Sequence, residues 1–126
     1  MPRSVDGGYR LEEIYATVKI FGQAGMEEVR ALVDTGATFT KLPRSLGERL
    51  GLKARRKVEV RLSDQRVVER GLCFAEAELE GIRDLVPVAL GGDDEAPLVG
   101  YTALEILGFK VDPITGKLER TRRIEY

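Results

Sequence analysis

Short runs in which apolar and polar residues alternate dominate the chain, and this period of two is typical of half-buried β-strands. The first run is Ile14–Ile20, and Val29–Val33 follows the turn Gly22–Gly25, so these two runs are predicted to pair as a hairpin. Two short strands are expected on either side of the turn Asp112–Lys117. Further strands are predicted at Val58–Leu62, Val67–Leu72, Cys73–Leu79, Ile82–Leu90 and Leu98–Gly100.

Two segments carry the start and stop signals of short helices. Pro43 suits a helix start and Gly51 a helix end, so the sequence predicts a helix over Arg44–Leu50. Tyr101–Leu107 is predicted to be a second helix, because a glycine, Gly108, follows it directly.

Closely spaced strands with turn signals between them indicate an all-β barrel or sandwich that carries two small helices. Pro87 cannot donate a ladder hydrogen bond, so we expect part of Ile82–Leu90 to lie at a sheet edge or a bulge. With 126 residues, the whole chain (1–126) is expected to form a single domain.

Composition narrows the function classes. Apolar residues make up 43% of the chain and charged residues 33%, which is typical of a folded, water-soluble protein. Lys plus Arg (20) nearly balance Asp plus Glu (21), so we expect no nucleic-acid partner. There is no apolar run long enough to span a membrane, no apolar leader at the N-terminus and only one cysteine, so we expect a cytoplasmic location without membrane contact.

The chain contains no histidine, which removes Ser–His and Cys–His nucleophile pairs and nearly all His-ligated metal sites. We therefore expect no metal and no cofactor. Cys73 alternates with apolar neighbours and is interpreted as a core residue, and Tyr101 is expected to open its helix and cover the core. The acidic loop at Asp93, Asp94 and Glu95 is interpreted as solvated rather than as a cation site.

A single carboxylate, Asp34, ends the apolar run at residues 29–33, and such a group is costly there unless it is paired, hydrogen-bonded or functional. Thr35 offers a hydroxyl, Gly36 lets the backbone turn sharply, and Ala37 keeps the next position small. These residues fit the floor of a cleft. They also fit an ordinary surface turn, because Asp, Thr and Gly are common turn residues.

The segment ALVDTGAT around Asp34 resembles the active-site motif of aspartic proteases, in which two apolar residues precede Asp-Thr-Gly-Ala. The segment Pro97–Glu119 is similar to the second half of the retropepsin fold, in which two apolar residues and a glycine, here Leu98, Val99 and Gly100, pack beside the catalytic loop. The intervening hairpin is similar to the flap of that family. The resemblance implies a closed, barrel-like acid protease fold.

The resemblance also implies a mechanism, hydrolysis of peptide bonds by a water that two aspartates activate together, without metal or cofactor. Only one Asp-Thr-Gly occurs in the chain, so the second aspartate would be Asp34 of a second copy, which predicts a homodimer acting on peptides or unfolded proteins. In the family, the hydroxyl at Thr35 reaches the partner's loop, and Gly36 permits the close approach. The Lys117–Tyr126 segment is either a strand of the dimer interface or a solvated tail.

The expected flap tip consists of Ser63, Asp64, Gln65 and Arg66, whereas the flap tips of viral retropepsins are rich in glycine. This departure leaves two alternatives to an active endopeptidase. One is a retropepsin-fold module that binds peptides or partners with little cleavage. The other is a structural β-domain with an incidental Asp-Thr-Gly.

Overall fold

The structure is a computed structural model that describes residues 13–122. The N-terminal segment 1–12, on which the expectation of no leader peptide rests, and residues 123–126 of the proposed interface strand lie outside the described residues. In chain order the elements are β1 (Tyr15–Gly22), β2 (Gly25–Val33), β3 (Thr40–Pro43), α1 (Arg44–Leu50), β4 (Arg56–Arg61), β5 (Val67–Leu79), β6 (Ile82–Gly91), β7 (Leu98–Val99), α2 (Tyr101–Leu107), β8 (Phe109–Val111) and β9 (Leu118–Arg120).

Seven strands form one sheet in the order β1-β2-β7-β3-β6-β5-β4, and β8 and β9 form a separate two-stranded sheet. β1 also pairs with β5, with Ile20 opposite Ala77, so the strands from β1 to β5 close into a ring. β4 extends from the ring and pairs with β5 as a long hairpin. The predicted all-β fold with a ring of strands and two short helices is confirmed.

The ring encloses a core built from the inward-facing residues of its strands. Along β5 the alternate positions Cys73, Ala75, Ala77 and Leu79 are buried, as the period of two predicts. Each large aliphatic side chain that is fully buried in this way contributes about 1.5–3 kcal/mol relative to an exposed one. Leucines of both helices, α1 and α2, belong to the same core cluster.

Two elements differ from the sequence prediction. The segments Val67–Leu72 and Cys73–Leu79 form one continuous strand, β5, of 13 residues rather than two. The four-residue strand β3 was not predicted, because its pairing is with β6 and β7, far along the chain, and no local run marks it. β3 matters for function because it directly follows the Asp34 loop.

Other predictions can be compared directly with the structure. α1 spans the predicted residues, and its final residue is followed by Gly51 in the left-handed conformation, at φ 74°. Pro87 lies where β6 pairs with β5 alone, since the pairing with β3 begins only at Val88, so the predicted edge position is confirmed. Tyr101 opens α2 but is 51% exposed, so it does not cover the core. No helix among the described residues is long and apolar enough to cross a membrane.

Candidate active site

Asp34 lies at the end of β2, where β7 fixes its backbone. β2 and β7 run parallel, with Leu32 opposite Leu98 and Val33 opposite Val99. The Asp34 amide donates to the Val99 carbonyl at 2.9 Å, which continues this ladder by one residue. The position of the carboxylate is therefore set by a strand 65 residues further along the chain, as the resemblance implied for Leu98 and Val99.

The turn after Asp34 is closed by the aspartate itself. The Gly36 amide donates to Asp34 Oδ1 at 2.9 Å, and the Ala37 amide donates to the Asp34 carbonyl at 3.2 Å. A Cβ at Gly36 would lie only 3.3 Å from Asp34 Oδ1, so the glycine keeps space beside the carboxylate. Thr35 is exposed, and its hydroxyl has no hydrogen-bond partner among residues 13–122.

The loop is anchored from behind by the start of α2. The Tyr101 amide donates to the Ala37 carbonyl at 2.7 Å, and the Thr102 amide donates to the Thr38 carbonyl at 3.1 Å. Helix N-termini carry amides without an intrahelical partner, and here the loop carbonyls accept from them. The loop that carries Asp34 is thus tied to the helix over two successive residues.

Gly100 sits at the tightest point of this contact. A Cβ there would lie 2.4 Å from the Phe39 carbonyl oxygen, so only glycine fits. The Gly100 amide donates to Thr40 Oγ1 at 3.1 Å, and Thr40 is 3% exposed. Thr40 was not among the predicted site residues, because its only local signal is that it alternates with the buried Leu42 in front of a proline.

An open cleft of about 880 Å³ lies between the Asp34 loop and the β4–β5 hairpin. Its lining brings together predicted residues from the Asp34 loop, the flap tip and the segment Leu98–Gly100, namely Asp34, Gly36, Ala37, Ser63, Asp64, Arg66 and Leu98. Thr35, Gln65, Val99 and Gly100 do not line it. Val99 and Gly100 are buried behind the loop, which agrees with the supporting position that the resemblance implied for them.

The tip of the β4–β5 hairpin is ordered by local contacts. The Arg66 amide and Arg66 Nε both donate to the Asp64 carboxylate, at 3.0 and 2.7 Å. These hydrogen bonds lower the pKa of Asp64 below its ordinary value. Gln65 has φ 74°, a left-handed conformation that favours glycine, so the tip keeps a glycine-like backbone without a glycine.

A charged cluster of Lys41, Glu95 and Arg70 forms one wall of the cleft. Arg70 Nη2 donates to both oxygens of Glu95, at 2.9 and 2.6 Å, and Lys41 Nζ lies 3.2 Å from Glu95 Oε1. Burial alone would raise the pKa of Glu95, but hydrogen bonds from Arg70, Lys41 and the Gly92 amide lower it. Sequence analysis missed this cluster, because its members come from three separate elements.

The acidic loop before β7 therefore has two structural roles. Asp93 accepts from the Ser45 amide at the start of α1, and this bond lowers the pKa of Asp93, while Glu95 belongs to the charged wall. Across residues 13–122 there is no group of three or more His, Cys, Asp or Glu side chains that could hold a metal ion.

Residues 16–110 match the family model described as aspartyl protease. The chain belongs to the aspartyl protease family. The matched region contains the Asp34 loop, the hairpin over the cleft and the segment Leu98–Gly100, so the resemblance seen in the sequence is confirmed. A comparison with curated proteins found no match. Membership of this family supports a protease-like function.

The environment of the single cysteine, Cys73, fits this assignment. Cys73 is 1% exposed in the core of the ring, as the sequence predicted, and burial raises the pKa of its thiol to about 11. A buried thiol with such a pKa is almost entirely protonated at neutral pH and is a poor nucleophile. Within the aspartyl protease fold, Cys73 is therefore a packing residue.

Proposed function

We propose that this protein is a homodimeric aspartic endopeptidase in which Asp34 of each protomer supplies one half of the catalytic dyad. The observation that carries the proposal is the position of Asp34, on a loop tied to β7 and α2 and facing a cleft under a hairpin. The chain has one Asp-Thr-Gly, and a dyad needs two carboxylates in equivalent loops. A two-fold axis beside Asp34 supplies the second one.

Four other carboxylates line the cleft: Glu59 and Asp94 are exposed, and the two that form ion pairs, Asp64 and Glu95, are poorly placed to complete a dyad within one chain. Asp64 is held by Arg66, and Glu95 is held by Arg70 and Lys41. Both are stabilised in the ionised form, and both have a lowered pKa. A dyad partner must instead hold a proton at the pH of the reaction, which supports a second Asp34 in that position.

The proposed mechanism follows from the proximity of two equivalent carboxylates. Two such groups about 3 Å apart do not both ionise, so the pair carries one proton. The ionised Asp34 takes a proton from water while the water oxygen bonds to the scissile carbonyl carbon. The protonated Asp34 donates to the carbonyl oxygen. Collapse of the resulting diol transfers a proton to the leaving nitrogen and breaks the C–N bond.

The side chain of Thr35 is a second observation in favour of the proposed dimer. Its hydroxyl is exposed beside Asp34 and has no partner among the described residues, although the amides around it are bonded. In the proposed dimer this hydroxyl binds the loop of the partner protomer, which is the contact that the resemblance to retropepsins implies. We also propose that the protein acts in the cytoplasm on peptides or unfolded protein segments.

The experiment that tests the proposal measures specific activity against protein concentration, with sedimentation equilibrium on the same samples. An unfolded, fluorescently labelled protein serves as the substrate at acid pH, because a pair of close carboxylates retains its shared proton on the acid side. Because each protomer supplies half the dyad, the activity per chain should fall in parallel with the dimer fraction on dilution. A strictly monomeric protein whose activity per chain is constant contradicts the dyad between protomers.

A second function, peptide binding with little cleavage, is favoured by one observation. The hairpin tip has no glycine and is held by Asp64 and Arg66, so it is less free to close over a substrate than a glycine-rich flap. A well-folded dimer that binds unfolded peptides but cleaves none between pH 3 and 8 would favour this function, because carboxylate pairs titrate in about that range.

A further inference from the structure

The charged wall of the cleft contains two cations for one carboxylate. Lys41 and Arg70 both contact Glu95, and their side chains are only 24% and 14% exposed. Lysine and arginine carry several N–H donors and no acceptor. Of the donors on these two side chains, only Lys41 Nζ and Arg70 Nη2 contact Glu95, which also accepts from the Gly92 amide. The buried Arg70 Nε has no hydrogen-bond partner in the described part of the chain. The wall therefore has more donors than acceptors.

The backbone beside this wall leaves room for the cluster. A Cβ at Gly91 would lie 3.0 Å from Lys41 Cδ and 3.2 Å from Glu95 Oε1. A Cβ at Gly92 would lie 3.0 Å from Glu95 Oε2. The glycine pair thus allows Lys41 and Glu95 to lie flat against the end of β6, so the position of the Lys41 ammonium is built into the fold.

Apart from Asp34, the other charges of the cleft are more exposed or already neutralised. Asp64 and Arg66 neutralise each other at the hairpin tip. Glu59, Arg61 and Asp94 are exposed, so water and salt screen their charges. Lys41 and Arg70 are the least exposed cations that line the cleft, and their interaction with a ligand is the least screened.

We propose that the Lys41–Glu95–Arg70 wall is a specificity subsite that selects an acidic side chain, Asp or Glu, in the peptide bound in the cleft. This inference rests on the proposed peptidase function and adds the substrate class. A substrate carboxylate accepts from Lys41 and completes the charge balance of the wall, whereas a lysine in that place adds a third cation. In the proposed dimer the wall occurs once in each half of the cleft.

The test compares peptides that differ only by Glu, Gln or Lys, scanned through each position around the cleavage site at about pH 6, where a glutamate side chain is ionised. We expect one position or more at which kcat/KM is about tenfold higher for Glu than for Gln, the factor that one charge-assisted hydrogen bond supplies. Lys should be the poorest of the three there. Equal kcat/KM for Glu and Gln at every position overturns the inference.

Two variants with opposite expected signs separate recognition from a structural role. Lys41→Met should reduce the Glu-to-Gln ratio of kcat/KM towards one, and Glu95→Gln should increase it, because the competing carboxylate is removed. Lys19→Met is the matched control: it breaks the Lys19–Glu78 pair, at 3.7 Å outside the cleft, and should leave the ratio unchanged. If Lys41→Met does not fold, the sign of the Glu95→Gln effect decides, and a decreased ratio contradicts the inference.

A binding measurement distinguishes failure of the subsite from failure of the proposed function. Fluorescence anisotropy with the same labelled peptides uses Asp34→Asn if the wild-type protein cleaves them, and the wild-type protein if it does not. Cleavage without any preference for Glu in kcat/KM or in affinity rejects the subsite and leaves the peptidase intact. Absence of cleavage with tighter binding of the Glu peptide rejects the peptidase and keeps the acidic subsite. Absence of both rejects both.

Discussion

The Asp34 loop and the hairpin tip at Asp64 share one local design but differ in their anchoring. In both, the carboxylate accepts the amide two residues further on, at 2.9 Å from Gly36 and 3.0 Å from Arg66. The Asp34 loop is then held by β7 and α2 through long-range backbone bonds. The Asp64 turn is held by its own residues, through bonds between Leu62, Gln65 and Arg66.

The shape of such a turn therefore has a different cause from its position in the fold. A short Asp turn forms wherever the local sequence allows it, but only distant parts of the chain fix its place in the fold. The two carboxylates also differ in their partners. Arg66 neutralises Asp64, whereas no lysine or arginine among residues 13–122 forms an ion pair with Asp34. The Asp34 carboxylate is thus available to the partner that the proposed dimer supplies, whereas Asp64 is engaged by Arg66.

The largest expected effect comes from making the same substitution in both turns. Asp34→Asn should reduce cleavage of an unfolded protein by at least about 10²–10⁴-fold, because the general base is lost. Asp64→Asn should change it by less than about tenfold, since the turn persists and Arg66 alone loses its partner. Wild-type activity should follow a bell-shaped pH profile with an acid optimum.

Asp112→Asn serves as the control for this comparison, because Asp112 accepts the Ile114 amide in a similar turn outside the cleft. Its activity should equal that of the wild-type protein. Asp34→Asn should remain folded, with stability at neutral pH equal or slightly higher, because two close carboxylates are replaced. Equal cleavage by wild-type protein and Asp34→Asn would assign the activity to a contaminant or to another site.

The next effect tests the long-range anchor of the Asp34 loop. Gly100→Ala should lower the free energy of unfolding by about 3 kcal/mol or more, because its Cβ would collide with the Phe39 carbonyl, which cannot move freely. Gly116→Ala is the matched control, at φ 68° with open space around it, and should cost about 1 kcal/mol. Urea unfolding measures the free energy of unfolding of both variants. Equal decreases would mean that the loop moves to accommodate the Cβ at residue 100 at little energetic cost.

A smaller effect distinguishes two of the three threonines near Asp34, namely Thr40 and Thr35. Thr40→Val should lower the free energy of unfolding by about 1–3 kcal/mol, because the Gly100 amide is left buried without an acceptor. This loss should appear at every protein concentration. Thr35→Val should instead weaken the dimer in sedimentation experiments, with little change in the stability of the protomer. A stable Thr40→Val protein would show that water reaches Gly100.

The smallest effect concerns the hairpin tip. Amides of Ser63–Arg66 should exchange faster than those of Val29–Val33, because the tip depends on local bonds.

The Asp64 carboxyl should titrate below its ordinary pKa of about 3.9, so the support from Arg66 is present at neutral pH and is lost as the pH falls through the lowered value. NMR titration should show this pKa rising part of the way in Arg66→Ala, which removes the side-chain donor but keeps the backbone amide; an unchanged pKa would contradict the role of the Arg66 side chain.

Sequence patterns predicted those elements whose signals are local. The period of two located the long strands of the ring, and α1 was predicted at its observed bounds because Pro43 and Gly51 flank it. Asp34 and the segment Leu98–Gly100 were predicted from their resemblance to a known motif. The structure places Asp34 at the cleft and Val99 behind it.

Features that depend on distant pairings were not predictable in the same way. β3 has only four residues, and its place follows from partners in β6 and β7. The ion pair between Arg70 and Glu95 joins residues 25 positions apart, and nothing near either residue indicates the other. Thr40 looked like one more loop hydroxyl, and only its contact with Gly100 shows its importance.

The backbone hydrogen bond from Asp34 to Val99 has a consequence for folding during synthesis on the ribosome. A nascent chain that has not reached residue 97 already contains Asp34, the hairpin and most of the ring, but it lacks the carbonyl that fixes the aspartate and the helix that holds the loop. Chains are made at about 5–20 residues per second, and domains fold as units during and after synthesis. We therefore expect the aspartate to reach its final position only after residues 98–107 have been translated, so that in the proposed peptidase a shorter nascent chain has no assembled catalytic loop.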